Sequence, residues 1–247
     1  MVCWSAELAP GQVTPLRYFA RDFVLFRTAS GEPSMLDAHC PHLGAHLGHG
    51  GCIDGDRIRC PFHAWQFDTG GRCAAIPYAK RIPKRAAVQS YPLTEHSGMI
   101  LAYMGPHGST ANYDVPVIEE FDDPAWTKLH CSEIIIATQP REVVENVADR
   151  AHFLPVHNQL IDDFEMIIDG PRATQRTVGR GRNLRGESIP VETVATYHGP
   201  AVQFTHLKWA YDMVLLNTHV PVDEDTLVLR FGVILKVGEG VELDPRI

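Results

Sequence analysis

Two short segments of the chain each pair one cysteine with one histidine. Cys40 and His42 form a C-x-H pair, and Cys60 and His63 form a C-x-x-H pair after the intervening residues 43–59. Two thiolates and two imidazoles in this order suit a [2Fe–2S] cluster in which the thiolates hold one iron and the imidazoles hold the other. Structural zinc is the alternative, but zinc sites usually pair cysteine with cysteine and histidine with histidine. The mixed pairs therefore favour the iron–sulfur cluster.

A second group of polar residues follows the spacing N-x-x-D-x-x-H-x₄-H. Asn146, Asp149 and His152 are three residues apart, which would place them on one face of a helix. Pro155 would end or kink that helix, so that His157 turns back toward His152. Two neutral imidazoles beside carboxylates form most of the two-histidine, one-carboxylate set of non-haem iron oxygenases. Taken alone the pattern is weak, because a histidine on a helix is more often an ordinary core or surface residue.

Hydrophobic periodicity indicates two domains. Alternating apolar positions and turn signals such as Asp54-Gly55 predict an all-β domain over residues 1–105. Gly, Pro and acidic residues dominate residues 106–126, which we interpret as a linker. A second domain is expected over residues 127–247, and the predicted fold class is α+β: the N-terminal all-β domain is followed by an antiparallel sheet with helices.

The predicted second domain mixes strands and one helix. A β-branched strand is expected within residues 128–138 and further strands within 191–237. Pro140 suits the first turn of a helix that continues to Phe153. Residues 170–187 hold five arginines, and we expect a solvated connection there rather than a docking patch for an acidic electron donor. Four apolar residues either line a pocket or belong to the core: Val202, Phe204, Leu207 and Trp209.

The composition excludes some classes of partner and location. With 247 residues, of which 45% are hydrophobic and 21% charged, the chain is expected to be globular. A net charge of −8 argues against nucleic acid as a partner. The four cysteines outside the two pairs are irregularly spaced and are expected to be free thiols, which favours a reducing, cytoplasmic location. No apolar run approaches the ~18 residues of a membrane span, and no signal peptide is recognisable.

The cysteine–histidine segments, with the flanking residues 42–44 and 63–67, resemble the signature of Rieske [2Fe–2S] domains. With the linker and the Asn146–His157 pattern behind them, they resemble the oxygenase component of Rieske non-haem iron oxygenases over nearly the whole chain. Four further segments resemble the branch of 3-ketosteroid 9α-hydroxylases and cholesterol desaturases: 76–83, 146–153, 197–200 and 217–222.

The resemblance implies ligands for two metal centres. The [2Fe–2S] cluster would be held by Cys40, His42, Cys60 and His63. A mononuclear Fe(II) would be held by His152 and His157. Asp149 would bridge this iron to a cluster histidine of a neighbouring subunit, and Asn146 would lie beside the iron, near the substrate.

The resemblance also implies partners. An NAD(P)H-dependent reductase or a ferredoxin would supply electrons, and a homotrimer would use O₂ to hydroxylate or desaturate a small apolar, steroid-like substrate. The third iron ligand of the family is an Asp that usually lies far past the second histidine. It would fall beyond Ile247, so the chain is expected to be a fragment, a shortened reading frame or a degenerate paralogue. Four carboxylates lack the family's context for that ligand: Asp212, Asp223, Asp225 and Asp244.

Two functions other than catalysis stay open from the sequence. One is a Rieske electron carrier, although a much shorter chain would be enough for that role. The other is an assembly or regulatory subunit whose iron site is incomplete, which the missing carboxylate favours.

Overall fold

The computed structural model describes residues 1–106, 109–183 and 185–237, and these form two compact units. The first unit comprises Met1–Ala111 and Val222–Glu224, and the second comprises Asn112–Pro221 and Asp225–Ile247. Residues 107–108 of the predicted linker and residues 238–247 of the predicted second domain, with Asp244, lie outside the described residues. No helix within the described part of the chain is long and apolar enough to cross a membrane.

The first unit is built from short antiparallel strands. They are β1 (Cys3–Trp4), β2 (Val13–Tyr18), β3 (Arg21–Arg27), β4 (Pro33–Asp37), β5 (Cys52–Asp54), β6 (Arg57–Arg59), β7 (Gln66–Phe67), β8 (Cys73–Ala75), β9 (Ser90–Tyr91), β10 (Leu93–His96) and β11 (Met99–Ala102). The sheets have the strand orders β2-β3-β4-β9, β5-β6-β7-β8 and β1-β11-β10. As predicted, Asp54-Gly55 lies in a hairpin turn, between β5 and β6, where Gly55 has a φ of +61°.

One buried cluster joins β3 and β4 to the β5–β8 sheet. Phe26 and Leu36 pack there with Phe67, and none of the three side chains is exposed. Cys40 and Cys60 belong to the same cluster. Since truncating a buried Phe to Ala costs about 3–5 kcal/mol, the packing that anchors the two cysteine-bearing loops contributes substantially to folding.

The second unit is dominated by one antiparallel sheet. Its elements are β12 (His130–Ile136), α1 (Pro140–Glu145), α2 (Phe153–His157), β13 (Leu160–Asp169), β14 (Arg172–Arg182), β15 (Ser188–His198), β16 (Val202–Lys208), β17 (Asp212–Pro221) and β18 (Leu227–Leu235). The strand order is β12-β18-β17-β16-β15-β14-β13. Antiparallel sheets with few helices, following an all-β unit, confirm the predicted fold class.

The predicted helix over residues 140–153 is interrupted earlier than expected. Pro140 occupies the first position of α1, as predicted, but a 3₁₀ turn at Asn146–Ala148 follows α1 and Asp149 is extended, with φ −87° and ψ 102°. The prediction that Pro155 ends the helix is therefore wrong. Pro155 lies in the first turn of α2, where a missing N–H breaks no helical hydrogen bond.

The prediction of a solvated connection over residues 170–187 is also wrong. Residues 172–182 form β14, which pairs with β13 on one side and β15 on the other. Its arginines Arg176, Arg180 and Arg182 are exposed and alternate with buried small or polar residues such as Thr177. The period of two was hard to recognise because the inward positions are not strongly apolar.

Candidate metal centres

The two cysteine–histidine segments form loops with the same hydrogen-bond pattern. Gly44 N–H donates to the Cys40 carbonyl at 2.9 Å, and Ala64 N–H donates to the Cys60 carbonyl at 3.1 Å. Each cysteine N–H in turn donates to the carbonyl five residues later, at 2.9 and 2.8 Å respectively. Gly44 and Ala64 close the loops with left-handed φ values of +76° and +57°. Both cysteines are therefore held by matching turns, although His42 and His63 sit at different offsets from them.

The four side chains converge on a common region of the first unit. The rings of His42 and His63 lie 4.6 Å apart, and their Nδ1 atoms are buried with no hydrogen-bond partner among the described residues. Burial, together with the adjacent Cys60 thiol, raises the pKa of Cys40 to about 11. Two buried thiols and two unpartnered ring nitrogens are a donor set that a metal centre would satisfy, since metal binding deprotonates thiols.

The arrangement also separates the two kinds of metal centre that the sequence left open. Across the described residues, no three His, Cys, Asp or Glu side chains converge closely enough to hold a single metal ion. A tetrahedral zinc site requires four donors around one point. A [2Fe–2S] cluster spreads its four donors over two irons, so the geometry fits the cluster better than zinc.

An aromatic contact lies directly behind one of the candidate ligands. The indole of Trp65 stacks on His42, with ring centroids 4.7 Å apart and 8° between the planes. Trp65 Nε1–H donates to Tyr78 Oη at 2.8 Å. The sequence did not indicate the role of Tyr78, because it lies thirteen residues past Trp65 in a loop without regular structure.

The second candidate centre lies where the chain passes from α1 to α2. Asp149 Oδ1 accepts the Ala151 N–H at 2.8 Å and so stabilises the turn that precedes α2. Asp149 Oδ2 lies 3.5 Å from His152 Nδ1, which is buried and makes no well-aligned hydrogen bond. The rings of His152 and His157 are 5.1 Å apart. Asp149, His152 and His157 thus come together around a turn. The helix face predicted for Asn146, Asp149 and His152 is not continuous, because the chain is extended at Asp149.

This turn is fixed to the sheet by contacts on both sides. Val147 is buried against Ala195 and Tyr197 of β15, and Tyr197 Oη donates to the Val143 carbonyl at 3.3 Å. Burial raises the pKa of Tyr197 to about 12, so the phenol stays protonated. Arg150 donates to the Ile161 carbonyl of β13 at 2.8 Å.

Asn146 and His157 line one cavity of about 440 Å³. Its other lining residues are Thr138, Glu142, Val143, Tyr197, Gln203, Asn217, Leu229 and Phe231. Burial and the neighbouring His152 lower the pKa of His157, which favours the neutral, metal-binding form of the imidazole. A volume of this size lies within the ~300–1,000 Å³ typical of small-molecule sites.

One row of directly paired residues forms the sheet side of this cavity. Tyr197 pairs with Gln203, Gln203 with Asn217, and Asn217 with Phe231, across four neighbouring strands. Asn217 Nδ2 donates to Gln203 Oε1 at 3.1 Å, so the row places a polar pair between two aromatic rings. Sequence reasoning missed this row, because the four residues belong to different strands and only the register aligns them.

The four apolar residues suggested for a pocket do not line this one. Val202 and Phe204 are buried, and Phe204 instead lines a second cavity with Thr196 and His198. Successive residues of a strand point to opposite faces. Gln203 therefore faces the His157 cavity, while Phe204 faces away from it.

Two family descriptions match the chain. Residues 1–92 match the Rieske [2Fe-2S] domain, and residues 102–245 match the 3-Ketosteroid 9alpha-hydroxylase C-terminal domain. The solved structures of dicamba monooxygenase bound to dicamba and of NdmA from Pseudomonas putida CBB5 share the fold. Their TM-scores are 0.78 and 0.77, at 18% and 21% identity, over 95% and 99% of this chain and 76% and 74% of theirs.

The curated relatives include the oxygenase component of a 3-ketosteroid-9-alpha-monooxygenase from Rhodococcus rhodochrous, 33% identical over 96% of this chain and 65% of the relative. A cholesterol 7-desaturase from Ciona intestinalis is 37% identical over 62% of this chain and 33% of its own length. The chain spans slightly less than two thirds of the length of the Rhodococcus rhodochrous relatives. The chain belongs to the Rieske oxygenase family that contains the oxygenase components of 3-ketosteroid 9α-monooxygenases.

Proposed function

We propose that the chain acts as the terminal oxygenase component of a Rieske-type monooxygenase. It would take electrons from an NAD(P)H-dependent reductase or a ferredoxin and use O₂ to hydroxylate or desaturate an apolar, steroid-like substrate. The observation that carries the proposal is the cavity in which His157 and Asn146 face the row Tyr197, Gln203, Asn217 and Phe231. A candidate iron ligand thus lines a cavity large enough for a small molecule.

The residues of the second unit would have separate roles around the iron. His152 and His157 would hold it, and when bound it would supply the chemistry that activates O₂. Asp149 Oδ2, 3.5 Å from His152 Nδ1, would orient the ring, as carboxylates commonly do for metal-bound histidines. The Asp149 side chain is 50% exposed, which would let it bridge to a cluster histidine of a neighbouring subunit.

The lining of the cavity suits an apolar molecule that carries a polar group. Leu229, Phe231 and the ring of Tyr197 offer apolar surface. The amide pair Asn217–Gln203 offers both donors and acceptors to a ketone or hydroxyl group. The names of the relatives, which refer to 3-ketosteroids and cholesterol, support a steroid-like substrate.

The assembly and the location are also proposals. The cluster ligands lie in the first unit and the candidate iron ligands in the second, and we propose a homotrimer in which electrons pass between subunits through Asp149. No disulfide joins any of the six cysteines, all of which lie within the described residues, and this supports the reducing environment of the cytoplasm.

A second candidate function is a Rieske electron-transfer or non-catalytic subunit. It is favoured by the observation that no carboxylate joins His152 and His157 in a three-donor site within the described ranges. Such a subunit would keep the cluster and would not turn over substrate.

The decisive experiment is a product assay with the cluster-loaded protein, excess Fe(II), O₂, NADH and a reductase. Substrates would be 3-ketosteroids, sterols and aromatic acids, with product detected by mass spectrometry. We expect oxygenated or desaturated steroid, lost in His157→Ala and retained in His130→Ala, which changes an exposed histidine on β12. A cluster that is reduced normally while no substrate is converted would favour the second candidate.

A further inference from the structure

The loop that follows β8 in the first unit carries an unusual concentration of positive charge. Residues 69–94 contain five basic residues and no acidic one, although the whole chain has a net charge of −8. Four of the five lie within six residues of the loop and are exposed: Lys80, Arg81, Lys84 and Arg85. We call residues 76–86 the basic loop.

The charge of the basic loop is not neutralised locally. No ion pair joins any of its four basic side chains to an acidic group in the part of the chain that the structure describes. Exposed and unpaired, these charges create a positive potential that falls off over the Debye length, about 8 Å at physiological ionic strength. An acidic partner would therefore be attracted to this part of the surface.

The basic loop is connected to the cluster site by two direct contacts. Tyr78, within the loop, accepts the Trp65 Nε1–H at 2.8 Å, and Trp65 stacks on His42 at 4.7 Å. A partner that covers Tyr78 would thus lie two side chains away from a cluster ligand.

The basic loop itself has the composition of a protein-binding patch. Tyr78 is 62% exposed and Ile82 is exposed as well, and both lie among the four exposed basic side chains. An apolar centre with a charged rim is typical of protein–protein interfaces.

We propose that the basic loop is the docking surface for the electron donor, and that this donor is a small acidic one-electron carrier protein. This inference depends on the proposed function in one respect only, namely that the cluster receives electrons from a donor protein. The reduced donor would bind over Tyr78 and the basic loop, pass one electron to the oxidised cluster, and leave in its oxidised form. Lys80, Arg81, Lys84 and Arg85 would accelerate the encounter and set its orientation.

The test is anaerobic stopped-flow reduction of the cluster-loaded protein by a reduced plant-type ferredoxin, an acidic probe, followed by the optical bleaching of the cluster. We expect the second-order rate constant of the wild type to fall as salt is added. At low salt, the double variants Lys80→Glu/Arg81→Glu and Lys84→Glu/Arg85→Glu should each be slower by about tenfold or more. The dissociation constant for the ferredoxin, measured by calorimetric titration, should rise in parallel.

The matched control is Arg172→Glu/Arg176→Glu, which makes the same change of charge on the exposed face of β14 and should leave both measurements nearly unchanged. Reduced methyl viologen, a small cation, should reduce the loop variants no more slowly than the wild type, which would exclude damage to the cluster. Equal slowing in the control variant, no slowing in the loop variants, salt-independent reduction, or no reduction of the wild type by the ferredoxin would each overturn the proposal. The assay contains neither substrate nor O₂, so a failure of the oxygenase proposal would not affect its outcome.

Discussion

The imidazole of His42 lies nearly parallel to the indole of Trp65, with 4.7 Å between the ring centroids. Trp65 is almost fully buried and its indole N–H is held by Tyr78, so the stack fixes a candidate cluster ligand from behind. We expect Trp65→Ala to shift the reduction potential of the cluster and broaden its EPR signal, and to destabilise the first unit by about 3–5 kcal/mol.

Trp65→Phe is the matched variant, because it keeps an aromatic ring behind His42 while losing the hydrogen bond to Tyr78. It should preserve most of the EPR line shape. An unchanged potential and line shape in Trp65→Ala would show that the stack does not position His42.

Removing a proposed cluster ligand should have a larger effect. His42→Ala or Cys60→Ser should abolish the optical and EPR signals of the Rieske cluster, because each removes one of four donors. Cys52→Ser changes an exposed, free thiol on β5 and should leave both signals intact. A full-strength, unchanged signal in His42→Ala would refute the assignment of that ligand.

The candidate cluster site was largely predictable because its proposed donors lie in two short contiguous segments. The spacing of Cys40, His42, Cys60 and His63 is a local property that can be recognised in the sequence without knowledge of the fold. The matched turns at Gly44 and Ala64 were harder to predict from the sequence, because an alanine rarely adopts a left-handed φ and does not by itself indicate a turn. Tyr78 could not be placed, because only tertiary structure brings it to Trp65.

The second site was predictable only in part, for a different reason. Asp149, His152 and His157 are close in sequence, and they come together even though the helix predicted over residues 140–153 is broken at Asp149. The cavity wall is a cross-strand row, and its register depends on hairpin pairings that one sequence does not specify. Strand β14 was also missed in the sequence, because its exposed arginines alternate with inward residues that are not apolar: Thr, Gln and Gly.

The carboxylate of Asp149 should matter for turnover more than for metal content. We expect Asp149→Asn to retain the cluster signal and the fold, because the amide oxygen can still accept the Ala151 N–H. The contact of the Asp149 carboxylate with His152, and any bridge to a second subunit, would be lost, so steroid turnover should fall by at least about tenfold.

The control for Asp149→Asn is Asp163→Asn, which alters an exposed carboxylate on β13 and should leave turnover unchanged. Normal turnover in Asp149→Asn, at normal metal content, would exclude the bridging role.

A buried histidine in the sheet should make the stability of the protein depend on pH. His219 of β17 is 3% exposed, and burial lowers its pKa from the usual histidine value of 6.5 to about 4. Between these two values the unfolded chain binds a proton that the folded chain does not, so the free energy of unfolding should decrease as the pH falls from 6.5 to about 4. At ~1.4 kcal/mol per pH unit the loss reaches about 3 kcal/mol.

Chemical denaturation across this pH range measures the effect of His219. His219→Gln should flatten the pH dependence, whereas His206→Gln, which alters an exposed histidine on β16, should not. Identical slopes for the wild type and His219→Gln would mean that His219 titrates alike in both states.

The iron content of the chain should distinguish an oxygenase from a carrier, and it depends on His152 and His157. Two imidazoles without a carboxylate hold Fe(II) weakly, because the third ligand supplies both geometry and charge. Since no third donor converges on the pair within the described residues, we expect the purified 247-residue chain to retain about two irons and two acid-labile sulfides, those of the cluster. Added Fe(II) should bind reversibly at a further site that is lost in His152→Ala and His157→Ala. A third iron that survives desalting, and that disappears in both histidine variants, would contradict this expectation and would indicate a carboxylate ligand that the described residues do not reveal.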